Sequence, residues 1–519
     1  MSQKTYWKSS EHKKSMASGD AALGEEFTNS DGVLKDPVER RDFLKVMGAS
    51  LALAGVTACA PIRRPVEQIT PYAEAPEGLV PGRPTYFSTS MQIGFDVVGL
   101  LVESHEGRPT KIEGNPKHPQ SLGATSAIHQ ASVLELYDPD RLQHAVRGGK
   151  KISPVELENA LSEIRKKYLA AGGKGLAFLS SDVVSPSLAR AFETLKSNFP
   201  GASFHRFEAV NADSVLEGSR LVSGKNLIPT HRLENADIVV SFDSDFLANE
   251  PGSVASARAF AGRRDPDNKN GMNRLYVFEP QFSVTGGMAD HRVRVKPSRV
   301  AASLAKLAIE LSKKQGGLLP GDVLASLSEL AKKTSSETSK DSTEDKVISA
   351  LADDLLRSKG RSILLVGRGQ GSHVHALVMA LNQTLGNEGR TVFYRETPDN
   401  HPGTEEGSIA SVKSLISKID KGAIETLFIL GGNPVYNTPA DLSFSDKLKR
   451  VGEVVHLTLA ENETSELAKT LIPESHFLES WGDARSLSGA TGLIQPLITP
   501  LYESLSCLET ILKLSGSSE

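Results

Sequence analysis

The stretch LFILGGNPVYNTP, Leu427–Pro439, decides how this chain is read. With Thr426 it opens on a run, Thr426–Leu430, that is apolar nearly throughout. Such a strand has no wet face, which places it in a parallel sheet covered on both sides. Gly431-Gly432-Asn433-Pro434 then turns the chain at the strand's carboxyl end, where ligands sit in sheets of this kind. Two readings of the turn stand: a plain strand-to-helix connection, or a loop whose Asn433 amide meets the edge of a heterocycle.

The same signature recurs on both sides. N-terminal to it, strands are predicted at Gly175–Leu179, Ala236–Phe242 and Arg274–Phe278, alternating with helices at Val155–Ala170, Ser187–Asn198, Val254–Arg263 and Val300–Lys313. Nearer to it the order is helix Lys346–Ser358, strand Ser362–Val366, helix Val374–Thr384, strand Thr391–Tyr394 and helix Ser408–Lys418. Helix Asp441–Arg450 and strand Glu453–Leu459 follow, and a short helix lies around Ser504–Leu514. Alternation of this kind predicts two doubly wound α/β units, 151–331 and 346–482, joined by the polar linker KKTSSETSKDSTED at 332–345. A tail, 483–519, closes the chain. Ahead of the first unit, Phe95–Ser104 and Thr110–Glu113 read as two strands turning at Gly107-Arg108, a small β-hairpin domain at 91–150. Prolines at 61, 65, 71, 76, 81 and 84 exclude a helix before it and predict an extended arm over 60–90.

Composition agrees with an α/β body. Hydrophobic residues make up 39% of 519, enough for a sizeable core, while aromatics are 6% and Gly reaches 44 residues. A net charge of −4 carries no nucleic-acid signal. Two cysteines, Cys59 and Cys507, form no disulfide framework and cannot supply four thiolates to a cluster.

The N-terminal region, 1–59, reads as an address. Glu39-Arg40-Arg41-Asp42-Phe43-Leu44-Lys45 precedes the apolar run Val46–Ala58, which is too short to span a bilayer. The pair Arg40-Arg41 and this run resemble a twin-arginine export signal, although Glu39 stands where Ser or Thr is usual. Val56-Thr57-Ala58-Cys59 resembles a lipobox, which implies a lipid anchor on Cys59. A polar leader, Met1–Pro37, lies before it.

Chemistry-bearing motifs are sparse. Gly367-Arg368-Gly369-Gln370-Gly371 lies between a strand and a helix but lacks the full GxGxxG spacing, so it reads first as a helix-start turn. Asp243 and Asp245 end a strand and are expected to cap a turn; with Asp290-His291 they make no metal site. His373 and His375 do not share a helix face, and there is no GxSxG elbow.

Four blocks carry a family resemblance. GRPTKIEGNPKHPQSLGA at Gly107–Ala124, ADIVVSFDSDF at Ala236–Phe246, Leu427–Pro439, and ELAKTLIPESHFLESWG at Glu466–Gly482 together resemble the molybdopterin oxidoreductases. In the last block Glu463-Thr464, Glu466-Leu467-Ala468, Ile472-Pro473 and Leu478-Glu479 carry the match. The resemblance implies a molybdopterin-oxidoreductase-like α/β fold: two doubly wound parallel-sheet domains and a small N-terminal β-containing domain.

The departures are as informative. Cluster-bearing members have cysteines before the first block and one just after it, where this chain has Ala124-Thr125-Ser126-Ala127. The family's usual C-terminal pterin-binding domain would follow Gly482, where 483–519 remain. With the signal DPVERRDFLKVMGASLALAGVTAC, the pattern is similar to the molybdopterin-like large subunit of alternative complex III, a quinol-oxidising respiratory complex of bacteria.

That resemblance implies a scaffold subunit with no catalytic, cofactor-binding or metal-ligating residue of its own. Asn115, His118, Asn433 and His476 are the candidates for lining a vestigial pocket. Iron–sulfur clusters and haem c would sit in partners: an iron–sulfur subunit, an integral membrane quinol-binding subunit and haem-c subunits, on the periplasmic face of the cytoplasmic membrane. The alternative is a molybdenum-dependent oxidoreductase of the polysulfide or thiosulfate reductase type with a non-cysteine metal ligand. A third class is a periplasmic binding or assembly protein outside electron transfer.

Overall fold

The computed structural model describes residues 80, 82–269, 271–335, 343–403 and 407–516. Arg40, Arg41, Cys59, the leader and most of the Pro-rich arm lie outside the described residues.

Strand β1 (Thr85–Ile93) begins as soon as the prolines end, because every later residue can donate to a ladder. It pairs with β2 (Asp96–His105) across a two-residue turn, Gly94-Phe95, in which Gly94 takes φ 55°. A second tight turn, Glu106-Gly107 at φ 51° and 81°, returns β3 (Arg108–Gly114). Positive φ at both positions suits the right-handed twist of the strands. The small domain is therefore three-stranded, not a single hairpin, and it takes in Thr85–Ser90, which the sequence assigned to the arm. Helix α1 (Ala127–Leu136) lies on it, burying Val133 and Leu136 against Val98, Leu100 and Ile112.

Short strands β4 (Val146–Arg147) and β5 (Lys150–Lys151) lead to α2 (Pro154–Ala170). Its start is written in the sequence Ser-Pro-Val-Glu: Ser153 accepts from the Glu156 N–H, and Glu156 accepts from the Ser153 N–H at 2.7 Å. Then come β6 (Leu176–Ser180), α3 (Pro186–Asn198), β7 (Ser203–Arg206), α4 (Asp213–Ser223), β8 (Leu227–His231) and β9 (Ile238–Phe242). Helix α5 (Ser253–Gly262), β10 (Arg274–Glu279), the single turn α6 (Val284–Gly287), β11 (His291–Arg294) and α7 (Val300–Lys314) follow. Helices α8 (Gly321–Ser335) and α9 (Thr343–Arg357) extend into both ends of the expected linker 332–345.

Next are β12 (Ser362–Val366), α10 (Ser372–Thr384), β13 (Val392–Glu396), α11 (Ser408–Asp420), β14 (Thr426–Leu430), α12 (Pro434–Asn437) and α13 (Phe444–Leu448). Helix α13 is shorter than the expected Asp441–Arg450 because Ser443 takes φ 47° and interrupts it. Strands β15 (Glu453–Thr458) and β16 (Thr470–Pro473), the hairpin β17 (Gly482–Arg485) and β18 (Thr491–Ile494), and α14 (Cys507–Ser515) complete the order.

The strands assemble into two main sheets. One is four-stranded and parallel, in the order β11-β10-β9-β12. The other has seven strands, β5-β4-β16-β15-β14-β6-β7, parallel from β16 to β7. Both are covered on two faces. Val240 and Phe242 point to α7, α9 and α10, while Val239 points to the opposite face with Phe260. Phe428 and Leu430 meet α2, α3 and α14, while Leu427 and Ile429 meet α11 and α13. The fully apolar strands thus have the two buried faces their sequences require.

The sheets do not follow the predicted halves. Strand β12 from 346–482 completes the sheet of β9–β11, and β6 and β7 from 151–331 complete the sheet of β14–β16. The division at 332–345 therefore separates no two layers. Among the described residues, no helix is long and apolar enough to cross a membrane.

Candidate functional site

The carboxyl ends of both parallel sheets open into one cleft. Its walls are Ser180, Ser181 and Asp182 after β6, Phe207 and Glu208 after β7, Gly431–Asn433 after β14, and Arg368 after β12. The β1–β2 turn, Ile93-Gly94, reaches into it. The larger opening measures about 350 Å³.

The chain's own side chains have taken most of the polar groups here. Gly431 and Gly432 adopt φ 81° and 74°, and the carbonyl of Gly432 meets His456 Nε2 at 3.0 Å. Asn433 donates from Nδ2 to Glu463 at 2.6 Å and accepts at Oδ1 from the Thr464 hydroxyl at 2.8 Å. The Gly-Gly-Asn-Pro loop is thereby tied to Glu463-Thr464.

Beneath the cleft, Arg206 at the end of β7 donates from Nη1 to Asp182 and to Asp399, 2.9 Å each. All three are buried. Burial pushes the Asp182 carboxyl up to about 7, with the charge of Asp399 adding to the rise and Arg206 opposing it. Burial also raises Glu208 and Asp399. His205 and His401 are held down by burial, to about 4 and about 3.

Carboxylates also take peptide N–H groups at several loop and helix starts around the sheets' carboxyl ends. Asp399 accepts from Val183 N, just past β6, at 2.9 Å. Asp213 accepts from Ser408 N and Ile409 N at the start of α11, at 2.9 and 3.2 Å. Asp483 accepts from Ser187 N at the start of α3, and Asp245 from Thr285 N at the start of α6. Glu250 accepts from Arg368 N after β12. Among the described residues Arg368 is the one Lys or Arg lining the cleft, and it pairs with Glu250 at 3.6 Å. Of these carboxylates Glu250 lines the cleft, and with Asp182 and Glu208 it gives an acidic wall that does not suit an anionic, phosphate-bearing pterin.

The region expected to face a metal is also committed. Ser126 caps α1, its hydroxyl 2.6 Å from His129 Nδ1, and Thr125 accepts from Gln130 at 2.6 Å. Among the described residues, no group of three His, Cys, Asp or Glu side chains is placed to hold a metal ion. Neither acid caps the turn after its own strand: Asp245 accepts from Thr285 N at the start of α6, and Asp243 accepts from Gln370 at 2.7 Å. Asp290 is bidentate with Arg264, and His291 stacks on Tyr276. In the Gly-rich turn after β12, a Cβ at Gly367 would lie 1.9 Å from the Asp243 carbonyl, so close packing explains this glycine. Cys507 is partly buried, and burial pushes its thiol up.

Of the four predicted pocket residues, only Asn433 lines the cleft. Asn115 and His118 hold the small β domain together: Asn115 bonds Ser88, and His118 Nδ1 accepts from Gly99 N at 3.2 Å. Gly99 makes room for that imidazole, since a Cβ there would sit 2.4 Å from His118 Cγ. His476 is buried beside Phe477, its Nδ1 accepting from Leu478 N, and burial holds it at about 4. Sequence reasoning missed Asp182, Arg206, Glu208 and Asp399. The one available signal was that Asp182 stands just past a buried strand, as Asp243 does.

Comparison with known proteins agrees with this architecture. The chain is 25% identical over 508 residues to the menaquinone reductase, molybdopterin-binding-like subunit, of Nitratidesulfovibrio vulgaris (strain Hildenborough). That match covers 92% of this chain and 72% of the relative. Among solved structures, acetylene hydratase from Pelobacter acetylenicus superposes with a TM-score of 0.63 at 13% identity, over 83% of this chain and 69% of that one. No protein-family profile matches. The fold is the molybdopterin-oxidoreductase-like α/β fold that the sequence implies.

Proposed function

We propose that this chain is a non-catalytic scaffold subunit of a membrane-bound, quinol-oxidising respiratory complex of the alternative complex III type. One observation carries the proposal: the cleft where the fold would seat an anionic pterin is lined by Asp182, Glu208 and Glu250, and Glu250 also holds the Arg368 N–H. The similarity to a molybdopterin-binding-like subunit of a menaquinone reductase supports a place in quinone-linked electron transport.

In this role the chain holds an iron–sulfur subunit above an integral membrane quinol-binding subunit, and haem-c subunits take the electrons. Arg40-Arg41 would direct export by the twin-arginine route, and Cys59 would carry a lipid anchor at the periplasmic face. The test is elemental analysis of the native complex purified through this chain. Iron without molybdenum or tungsten, together with multihaem and integral membrane subunits, is expected. Molybdenum or tungsten near one per chain would overturn the scaffold role in favour of a molybdenum-dependent oxidoreductase. Mass spectrometry of the mature N-terminus checks the anchor: an unmodified peptide spanning Cys59 rejects it.

A further inference from the structure

The cleft continues into a second, apolar cavity that the scaffold role does not use. It lies beneath the antiparallel ribbon of β8 and β13, between α4, α10 and the edge strand β12. Its walls are mainly aliphatic: Val215 of α4, Ile228 of β8, Leu364 of β12, and Val378 and Met379 of α10. Its mouth, at Ile93, Gly94 and Arg368, is shared with the cleft.

The far end is different. His231, the last residue of β8, lines the cavity and pairs in register with Val392. The neighbouring Thr391 bonds the carbonyl of Ser362, so His231 lies toward the start of β12, while Arg368 follows its end. The His231 ring makes no hydrogen bond or ion pair with a described residue. Asn382 and Ser219, which also line the cavity, spend their side chains on backbone partners: Asn382 on Leu364, Ser219 on Leu216 and Leu227; His375 of α10 lines it too, but its unpartnered Nε2 is fully buried and out of reach of a bound molecule. The His231 ring is partly buried, and its nitrogens remain open to a molecule in the cavity.

Burial holds His231 down to about 4. The ring is therefore neutral near pH 7 and presents one N–H donor and one acceptor nitrogen. The volume, about 120 Å³, is near that of an engineered apolar cavity of about 150 Å³ that holds benzene. One ring fits; a fused pterin or a long isoprenoid chain does not.

We infer that this cavity binds a small, neutral, single-ring molecule bearing one hydroxyl or carbonyl group, with the ring among Val215, Leu364 and Val378 and the polar group on His231. Entry is from the cleft, past Arg368. The site depends on the cavity alone and not on the scaffold role.

Isothermal titration of the full-length chain with phenol and with toluene tests it, since the two probes differ chiefly in one hydroxyl. One saturable site per chain is expected, with phenol about five-fold tighter, the worth of a single neutral hydrogen bond. Val215→Trp fills the chamber and should abolish binding of both probes while leaving the circular dichroism spectrum unchanged. His231→Phe should remove the preference for phenol and keep toluene binding. If His231→Phe fails to fold, the imidazole nitrogen resonances of His231 in the unaltered chain give the second readout, and they should shift on titration with phenol but not toluene. Absence of saturable binding, binding that survives Val215→Trp, a phenol preference that survives His231→Phe, or unmoved imidazole resonances at saturating phenol would each overturn the inference.

Discussion

Replacing Arg206 with Met removes the cation shared by Asp182 and Asp399 under the cleft. The Arg206, Asp182 and Asp399 side chains are 4%, 3% and 1% exposed, and both bonds from Arg206 Nη1 are 2.9 Å. Asp399 keeps the N–H groups of Val183 and His401 at 2.9 and 3.0 Å, but Asp182 loses its cation and still faces the charge of Asp399. Breaking a buried pair by deleting one partner costs about 3–5 kcal/mol. The cost depends on pH, and its direction follows from Asp182. Its folded pKa is already raised, to about 7. A carboxyl raised on folding contributes stability that is present below its unfolded value and lost as pH rises through the folded one. In Arg206→Met the rise is larger, so the deficit should be small near pH 5, begin as pH passes about 7, and grow by at most about 1.4 kcal/mol per pH unit, reaching roughly that by pH 8. Urea unfolding followed by far-UV circular dichroism at both pH values measures it. Adding Asp182→Asn should recover part of the loss at pH 8 and little at pH 5. A deficit below about 1 kcal/mol at pH 8, or one that is equal at both pH values, would refute the reasoning, because a buried carboxylate left without its partner must cost more than a surface pair.

Other perturbations have equally definite outcomes. Arg141 and Glu479, 1% and 0% exposed and 2.7 Å apart, tie the small β domain to the last block of the fold. Arg141→Met should cost about 3–5 kcal/mol in urea unfolding, and Arg141→Met with Glu479→Leu far less, since no lone charge is then left buried. Asp213→Ala removes the carboxylate at the start of α11 and should cost about 0.5–2 kcal/mol, with faster amide exchange at Ser408 and Ile409 and none of that change at α2. Gly286→Ala would place a Cβ 1.9 Å from Glu279 Oε1, a carboxylate held by Arg292 and Ser283, and should lower stability by about 1–3 kcal/mol; an unchanged melting curve would show that Glu279 can move.

Element type was legible wherever local chemistry decides it. Thr426–Leu430 and Ser362–Val366 are strands at the predicted limits, and α2 starts at the Ser-Pro-Val-Glu cap that announces it. Less visible were short elements with mixed polarity. Strand β7, SFHR, has polar residues whose burial comes from partners far away: His205 meets the Ser411 carbonyl and Arg206 meets Asp399. Asn115, His118 and His476 looked like pocket residues because polar side chains near motif glycines often meet ligands. Here they meet backbone groups, and only proximity to Gly99 and Leu478 reveals that.

By itself the sequence determined the class of fold, because a strand with no polar face can be satisfied only between two layers of helix. It also determined that no cluster of thiolates can be built from Cys59 and Cys507. Tertiary structure alone decided which strands share a sheet: β12 joins β9, and β6 joins β14, across gaps of more than a hundred residues. Equally apolar strands carry no label for their neighbours; the packing of both faces selects them. The same holds for the cleft. Each of Asp182, Asp213 and Asp399 is an ordinary loop or helix-start acid in the chain, and only the folded backbone sets them against the N–H groups and the arginine around the cleft.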